Sequence, residues 1–468
     1  MTDSWHQMTA LALGDGIAGG AIDPVALTEH FLERIARGDG DRVVYLATTA
    51  ERARAEAEAA WARARAGRRL GLLDGVPMSW KDLFDSAGTA TTAASPIFAQ
   101  RVPEVDATLL ARASRAGMVC LGKTNLTEFA FSGLGINPHY GTPANAYDAA
   151  VPRVPGGSSS GAAVSVARGL APAAIGSDTG GSVRIPAAFN GLVGLKTTAG
   201  LLPLDGVIPL AASLDTAGPL TRDVADANAI FAVLAGRLAA DLGAASLCGV
   251  RLLVPDNVMW NGVEVGNEQA VRHAIDRLAA AGAEVVTDQV PELTEVQDLF
   301  AKDGPLVAAE AYARWQDLVD HQPDKIYHNV LKRFWAGSEM TATSYETLRR
   351  GLDTLSMRFH QRLAGYSAMV APTTLIAPPP IAPLEADDDT YMAANGGALH
   401  NTTLGNVLKV CAVTLPCGGT ASGGTNSEAD LPVGLMLHAR PFTEAALLRL
   451  AKACEETLAD IPKPTAKL

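Results

Sequence analysis

Apolar residues recur along this chain at spacings typical of helices and of buried strands. Leu27, Phe31 and Ile35 repeat at the helical interval, which predicts a helix. Asp23 before them is a good N-cap, and Gly38 after them can end the helix. The same reasoning predicts further helices at 50–66, 107–116, 162–168, 223–235, 270–281, 306–318, 345–363 and 444–458, and strands at 72–80, 118–121, 251–255, 284–286 and 433–438.

The order of these elements indicates how the chain is organised. Strand, helix and strand alternate from 251 to 286, which is typical of α/β layering. Before them, residues 155 to 236 carry Gly and Ser loops with few charges, and the residues from about 290 to 400 look like an insertion over the core. A Pro-rich strand exit at 377–383 belongs to this insertion, and a strand and a helix end the chain.

Composition narrows the classes of function. The 468 residues carry 38 basic and 50 acidic side chains, a net charge of −12, which argues against binding to nucleic acid or to an anionic membrane. The five cysteines are odd in number and form no Cys-x-x-Cys pair, so neither a disulfide framework nor zinc is indicated. With no leader-like start and no long apolar run, we expect a cytoplasmic protein with a small-molecule ligand.

The segment from Gly117 to Thr124 matches the phosphate-binding pattern GxxxxGK[ST]. A phosphate loop follows a strand and precedes a helix, and small residues let its N–H groups surround the phosphates. Here a predicted helix precedes a predicted strand, and bulky apolar residues occupy the loop positions. This order and these residues argue against a phosphate-binding role for Lys123, and a nucleotide-binding α/β protein is kept as an alternative.

A second motif, Gly157 to Gly161, satisfies the GxSxG pattern of the nucleophile elbow, with Ser159 as the nucleophile. The elbow requires an apolar strand directly before it and a later acid and histidine. No such strand precedes Gly157, and nothing around His438 resembles a triad. The serines can equally cap the helix that begins near Ala162.

A third motif, the turn from Asp178 to Arg184, again places two glycines before a serine. Such glycines let consecutive backbone N–H groups point into one concavity, the geometry that holds a developing oxyanion. Upstream, Lys81 ends an apolar strand. A lysine in that position more often extends to water, so Lys81 by itself does not indicate catalysis.

Together these segments resemble the amidase signature family, whose Gly/Ser-rich block matches PGGSSSGAAVSVARGLAPAAIGSDTGGSVRIPAAFNGLVGLKTTAG, residues 155–200. Further blocks match in the same order at 73–85, 121–131, 213–226, 413–418 and 431–436. Several blocks in one order are far more specific than one short motif. The resemblance implies an α/β fold: a single large domain with a central mixed β-sheet covered by helices on both faces.

The resemblance also divides the chain. It implies one amidase domain over 1–468, with the following parts: an N-terminal helical arm at 1–70, the signature core at 71–236, continued α/β layering at 237–290, a variable substrate-pocket insertion at 290–400 and a return to the core at 401–468.

Three catalytic residues are implied one by one. The lysine of the family falls on Lys81, its cis-peptide serine on Ser158 and its nucleophilic serine on Ser182. The implied reaction cleaves a carboxylic amide through an acyl-enzyme on Ser182, with Ser158 passing protons to a neutral Lys81, and uses no metal or cofactor. For this the pKa of Lys81 must fall from about 10.4 to near 7 or 8, which burial can achieve.

An oxyanion hole and its supports are implied as well. Its donors are the backbone N–H groups of Thr179, Gly180, Gly181 and Ser182. Ser159 takes a supporting place beside Ser158. Asp178 and Arg184 flank the turn, and we expect them to brace it as an ion pair.

The substrate is not determined by any motif, because the resemblance offers none in 256–400. The aromatic residues there are candidates for lining an apolar or aryl pocket and are equally typical of a core: Trp260, Tyr312, Trp315, Phe334 and Trp335. No residue of this region is singled out as a partner for a substrate carboxylate.

One rival function belongs to the same family. An amidotransferase A-type subunit, which supports tRNA-dependent amidation inside a larger assembly, would use the same kind of site. Ile185 follows the serine turn where that subgroup usually carries a glutamine, which favours the free-standing amidase. A homodimer is left open.

Overall fold

One mixed β-sheet of eleven strands runs through the part of the chain that the computed structural model describes, residues 2–40, 42–243, 245–423 and 430–466. Its spatial order is β1-β3-β2-β4-β6-β5-β10-β11-β9-β7-β8. The strands are β1 Tyr45–Thr48, β2 Pro77–Lys81, β3 Val119–Thr124, β4 Ala174–Asp178, β5 Val193–Lys196, β6 Thr216–Thr221, β7 Arg251–Pro255, β8 Glu284–Asp288, β9 Ala368–Pro372, β10 Cys411–Gly419 and β11 Pro432–Ala439.

Fifteen α-helices lie among the described residues and flank this sheet. None of them is long and apolar enough to cross a membrane. They are α1 Ala10–Ala18, α2 Pro24–Gly38, α3 Ala50–Arg65, α4 Thr108–Arg115, α5 Ser160–Ala167, α6 Arg184–Phe189, α7 Val224–Ala235, α8 Val265–Ala280, α9 Pro291–Asp303, α10 Leu306–His321, α11 His328–Trp335, α12 Ala342–Leu363, α13 Ile381–Ala386, α14 Asp388–Val407 and α15 Glu444–Thr457.

The middle of the sheet is the core of the protein. Every residue of β2, β4, β6 and β11 is buried, whereas the edge strand β8 exposes Glu284, Thr287 and Asp288. Strands covered on both faces can be apolar without alternation, which is why short apolar runs predicted β2 and β11. The predicted class, one large α/β domain with a mixed sheet, is confirmed. The boundaries of its segments stay predictions.

Four of the five predicted strands have different bounds, and in two of them the difference falls at a candidate residue. The strand expected at 72–80 begins at Pro77, because Gly75 has a φ of +88° and turns the chain, and Leu72 is exposed. The strand expected at 118–121 continues to Thr124, so the whole Gly-Lys-Thr segment lies inside the sheet between β1 and β2.

The sheet topology determines where the candidate residues meet. Strands β2 and β4 are parallel neighbours, and Ser79 is paired with Ala174. Their carboxyl ends therefore reach the same edge of the sheet, where ligands bind in many α/β proteins. Lys81 is the last residue of β2 and Asp178 is the last residue of β4, so the topology brings two candidate residues together from segments far apart in sequence.

Candidate active site

Lys81 is fully buried at the end of β2 and contacts two serine hydroxyls. Its Nζ donates to Ser158 Oγ at 2.6 Å and to Ser177 Oγ at 2.8 Å. Burial lowers the pKa of Lys81 to about 7, although the negative charges of Asp178 and Asp215 act in the opposite direction. A large fraction of the lysine is therefore neutral at neutral pH and can accept a proton.

Ser158 lies in a fully buried turn directly before α5. The peptide bond between Gly157 and Ser158 is cis, as the resemblance implies. The carbonyl oxygen of Ser158 accepts from the N–H of Thr127 at 3.1 Å, and Gly157 N–H donates to the Gly133 carbonyl at 2.7 Å. These bonds fasten the turn to the segment that follows β3 and hold the Ser158 hydroxyl against Lys81.

Ser182 lies in the second serine turn, between β4 and α6, and is 5 % exposed. Its carbonyl oxygen accepts from Ser159 N–H at 3.3 Å, which joins the two serine turns through their backbones. Its hydroxyl forms no hydrogen bond to another described residue, including Ser158, and Ser182 lines a cavity. The structure thus joins Lys81 to Ser158 directly and places Ser182 beside them with its hydroxyl uncommitted.

The backbone N–H groups of the second turn are available to a ligand. None of the N–H groups from Thr179 to Ser182 donates to a residue in the described part of the chain. Gly180 carbonyl oxygen accepts from Thr402 Oγ1 at 2.6 Å, which turns the Gly181 N–H of the same peptide to the opposite side. Gly181 has a φ of +138°, and a Cβ there would collide with the Thr402 side chain, so this conformation requires glycine.

Asp178 and Arg184 form a bidentate ion pair with both contacts at 3.0 Å, and both side chains are fully buried. Burial by itself would raise the pKa of Asp178, but the Arg184 guanidinium lowers it below its usual value. Asp178 also accepts from Val183 N–H at 3.2 Å. The ion pair therefore joins the two ends of the turn that contains Ser182. It does so in the core of the protein rather than at its surface.

Comparison with known proteins identifies the family. The family model "Amidase" matches residues 26–448. The chain belongs to the amidase signature family. Relatives include 2-amino-5-chloromuconic acid deaminase of Comamonas testosteroni, 36% identical over 433 residues and 92% of each chain, and the A subunit of the glutamyl-tRNA(Gln) amidotransferase of Anaeromyxobacter dehalogenans, 35% identical over 96% of each. A solved amidase structure superposes with a TM-score of 0.84 at 30% identity, over 96% of this chain and 100% of that chain. The chain is thus an amidohydrolase, a hydrolase of amide carbon–nitrogen bonds.

The two competing motifs have structural roles in this amidase. Lys123 Nζ is buried and donates to Asp82 Oδ1 at 2.6 Å and Thr91 Oγ1 at 2.9 Å. The segment is a strand rather than a loop, so the phosphate-loop interpretation is wrong. Ser159 is buried and its hydroxyl donates to the Ser177 carbonyl oxygen at 3.3 Å, which leaves it beside Ser158 as a support and not at an exposed elbow.

Two residues near the amidase site were missed in the sequence. Ser177 is the second partner of Lys81. Asp215 accepts from Thr179 Oγ1 at 2.5 Å and from Leu210 N–H at 2.9 Å, and burial raises the pKa of Asp215 to about 6. Asp215 lies inside the matched block 213–226, and that match was the only signal that could have found it.

The cavity at Ser182 has a volume of about 270 Å³. Its walls are mainly apolar, formed among others by Phe131, Leu210, Phe300, Leu306, Val307 and Leu399. None of the five aromatic residues proposed from 256–400 lines it: Phe334 packs edge-on against Phe129 and Phe131, and Tyr312 lines a neighbouring cavity. Arg333 also lines the cavity, and no pattern in the sequence distinguished it from the other arginines.

Proposed function

We propose that this amidase cleaves the carbon–nitrogen bond of a small carboxylic amide through an acyl-enzyme on Ser182. The contact between Lys81 Nζ and Ser158 Oγ, at 2.6 Å, carries this proposal. It joins a lysine whose pKa is about 7 to a hydroxyl that can both accept and donate a proton. A serine nucleophile requires such a base, because its own hydroxyl is a weak nucleophile.

The proposed reaction begins with attack of Ser182 Oγ on the carbonyl carbon. The proton of Ser182 passes to Ser158 Oγ while the proton of Ser158 passes to Lys81 Nζ. The oxyanion is held by the free N–H groups of Thr179 to Ser182, a type of contact worth about 3 kcal/mol per donor. The hydrogen bond between the two serine hydroxyls forms in the substrate complex, since catalytic hydrogen bonds often shorten there.

The second half of the reaction reverses the proton path. Lys81 returns its proton through Ser158 to the nitrogen of the leaving amine or ammonia, and the carbon–nitrogen bond breaks. Water then loses a proton along the same path to Lys81 and attacks the ester carbonyl. The bond between the acyl carbon and Ser182 Oγ breaks, and Lys81 returns the proton through Ser158 to Ser182 Oγ. The products are a carboxylate and free Ser182.

A fluorophosphonate probe tests the nucleophile, because it forms a stable adduct with an activated serine. We expect the wild-type protein to gain the mass of one probe and the Ser182→Ala variant to gain none. Ser159→Ala is the matched control, since Ser159 lies in the competing motif, and it should still be labelled. An adduct on Ser182→Ala would contradict the nucleophile assignment.

We further propose that the chain acts alone, on a small molecule, in the cytoplasm. The net charge of −12 argues against nucleic acid as a partner, and all five cysteines are free thiols, as is typical of a reducing compartment. The second candidate is the amidotransferase subunit, favoured by its 35% identity over 96% of the chain. Hydrolysis of simple amides by the purified chain supports the first function, and activity only with partner subunits and tRNA supports the second.

A further inference from the structure

Arg333 is an unpaired charge in the wall of the cavity that contains Ser182. It lies on α11, and its side chain forms no ion pair or hydrogen bond with any residue in the described ranges; its Nε is buried without a partner. Arg333 as a whole is half-buried, and a guanidinium partly withdrawn from water is normally paired with an acid. Its neighbour Lys332 is exposed and does have an acidic partner, since Lys332 Nζ contacts Asp388 Oδ2 at 2.5 Å.

An aromatic face holds Arg333 in place instead of a carboxylate. The Arg333 guanidinium carbon lies 4.6 Å from the centre of the Phe131 ring. Phe131 in turn packs edge-on against Phe334, with ring centres 5.1 Å apart. A guanidinium stacked on a ring keeps its N–H donors at its edge free for a planar anion.

The other described residues in the wall of the cavity provide no negative charge to pair with Arg333. The residues that line it are apolar side chains, glycine, hydroxyl side chains and Arg333, and none is an aspartate or a glutamate. The positive charge is therefore uncompensated, and a ligand with an ammonium group would find no acidic partner in the described wall. Burial lowers the pKa of Arg333, yet an arginine remains protonated in proteins.

We propose that Arg333 binds a carboxylate carried by the acyl part of the substrate, so that this amidase prefers monoamides of apolar dicarboxylic acids that lack a charged amine. The proposal rests on Ser182 being the nucleophile. The acyl group stays bonded to Ser182 while the amine leaves, so an anchor inside this cavity acts on the acyl part in both halves of the reaction. An Arg–carboxylate contact is bidentate and stronger than a neutral hydrogen bond.

Three series of substrates test this preference through release of ammonia. They are the monoamides of C4 to C8 dicarboxylic acids, the corresponding uncharged diamides, and asparagine and glutamine, which add an ammonium to the C4 and C5 monoamides. We expect kcat/KM of the best monoamide to exceed that of its diamide by between about 10-fold and about 100-fold. Glutamine and asparagine should be poorer than the matching monoamides.

Variants at two arginines locate the effect. Arg333→Met should lower kcat/KM for the monoamide, mainly through a higher KM, far more than for the diamide, so that the preference for the monoamide is lost. Arg333→Lys keeps a positive charge and should retain part of the preference. Arg314→Met is the matched control, because Arg314 stacks on Trp315 at 4.7 Å and lines the neighbouring cavity; it should change nothing.

The outcomes separate this inference from the proposed function. Equal rates for monoamides and diamides, unchanged in Arg333→Met, would overturn the role of Arg333 and leave the amidase mechanism intact. If the wild type hydrolyses no amide in any series, a binding titration tests the anion site instead. Calorimetry then measures the binding of C4 to C8 dicarboxylates, the expected products, to the Ser182→Ala variant. Saturable binding that disappears in the Ser182→Ala/Arg333→Met variant supports the anion site, and no binding overturns it.

Discussion

Lys81 and Lys123 lie on the neighbouring parallel strands β2 and β3, and both are fully buried. The register pairs Trp80 with Lys123 and Lys81 with Thr124. Since successive side chains of a strand point to opposite faces, the two lysines extend to opposite sides of the sheet. Asp82 directly follows Lys81, yet its carboxylate contacts Lys123.

Their partners distinguish the two lysines. Lys123 contacts a carboxylate at 2.6 Å, whereas the partners of Lys81 among the described residues are all hydroxyls, at 2.6 Å and 2.8 Å. A carboxylate accepts hydrogen bonds but donates none, so it favours the ammonium form; a hydroxyl can also donate to a neutral amine. Burial alone therefore does not make a lysine a base. The absence of a directly bonded acid is the second requirement.

The largest effect is expected when the proposed base is removed. Lys81→Met should lower kcat by about 10³-fold to 10⁴-fold, because no other group takes the proton of Ser158. Ammonia release from the best amide measures this, and circular dichroism checks the fold. Retained turnover at neutral pH would show that Lys81 is no more catalytic than Lys123.

Removing the other lysine should affect stability instead. Lys123→Met leaves Asp82 buried without its cation, which lowers the free energy of unfolding by about 3–5 kcal/mol. Urea denaturation measures that loss. Turnover per active site, counted by fluorophosphonate labelling, should equal that of the wild type, and a fall like that of Lys81→Met would remove the distinction between the two sites.

The pKa of Lys81 should also appear in the stability of the wild type. The folded pKa of about 7 is below the unfolded value of about 10.4, so between these values the unfolded state binds more protons and stability rises with pH. Relative to Lys81→Met, the wild type should gain about 2 kcal/mol of unfolding free energy between pH 7 and pH 9. A constant difference across that range would contradict the lowered pKa.

The smallest effect concerns the rate at acidic pH. Protonated Lys81 cannot act as a base, so kcat/KM for an uncharged diamide should fall about tenfold per pH unit below pH 7. The diamide does not titrate in this range, and the profile therefore reports the enzyme. An ascending limb near pH 10 would mean that Lys81 behaves as an ordinary exposed lysine.

Local patterns predicted some elements closely and others poorly. Helix α2 has the predicted end at Gly38, and Asp23 accepts from Val25 N–H at 2.8 Å, because a cap is a contact between near neighbours. By contrast, β10 contains Pro416 and Gly418 and pairs with β5 and β11. Proline and glycine weaken an isolated strand, so β10 forms because it pairs with a neighbouring strand on each side. No local pattern predicted β10.

The active site likewise has residues that the sequence predicts and features that only the tertiary structure reveals. The sequence by itself determined the family and proposed Lys81, Ser158 and Ser182, because each lies in a contiguous block whose residue order carries the resemblance. The tertiary structure alone decided that Lys81 has no contacting acid in the described part of the chain, and that Arg333 reaches the cavity of Ser182 without one from that part. The partners of a buried charge come from distant segments through sheet register and helix packing, and no spacing along the chain records them.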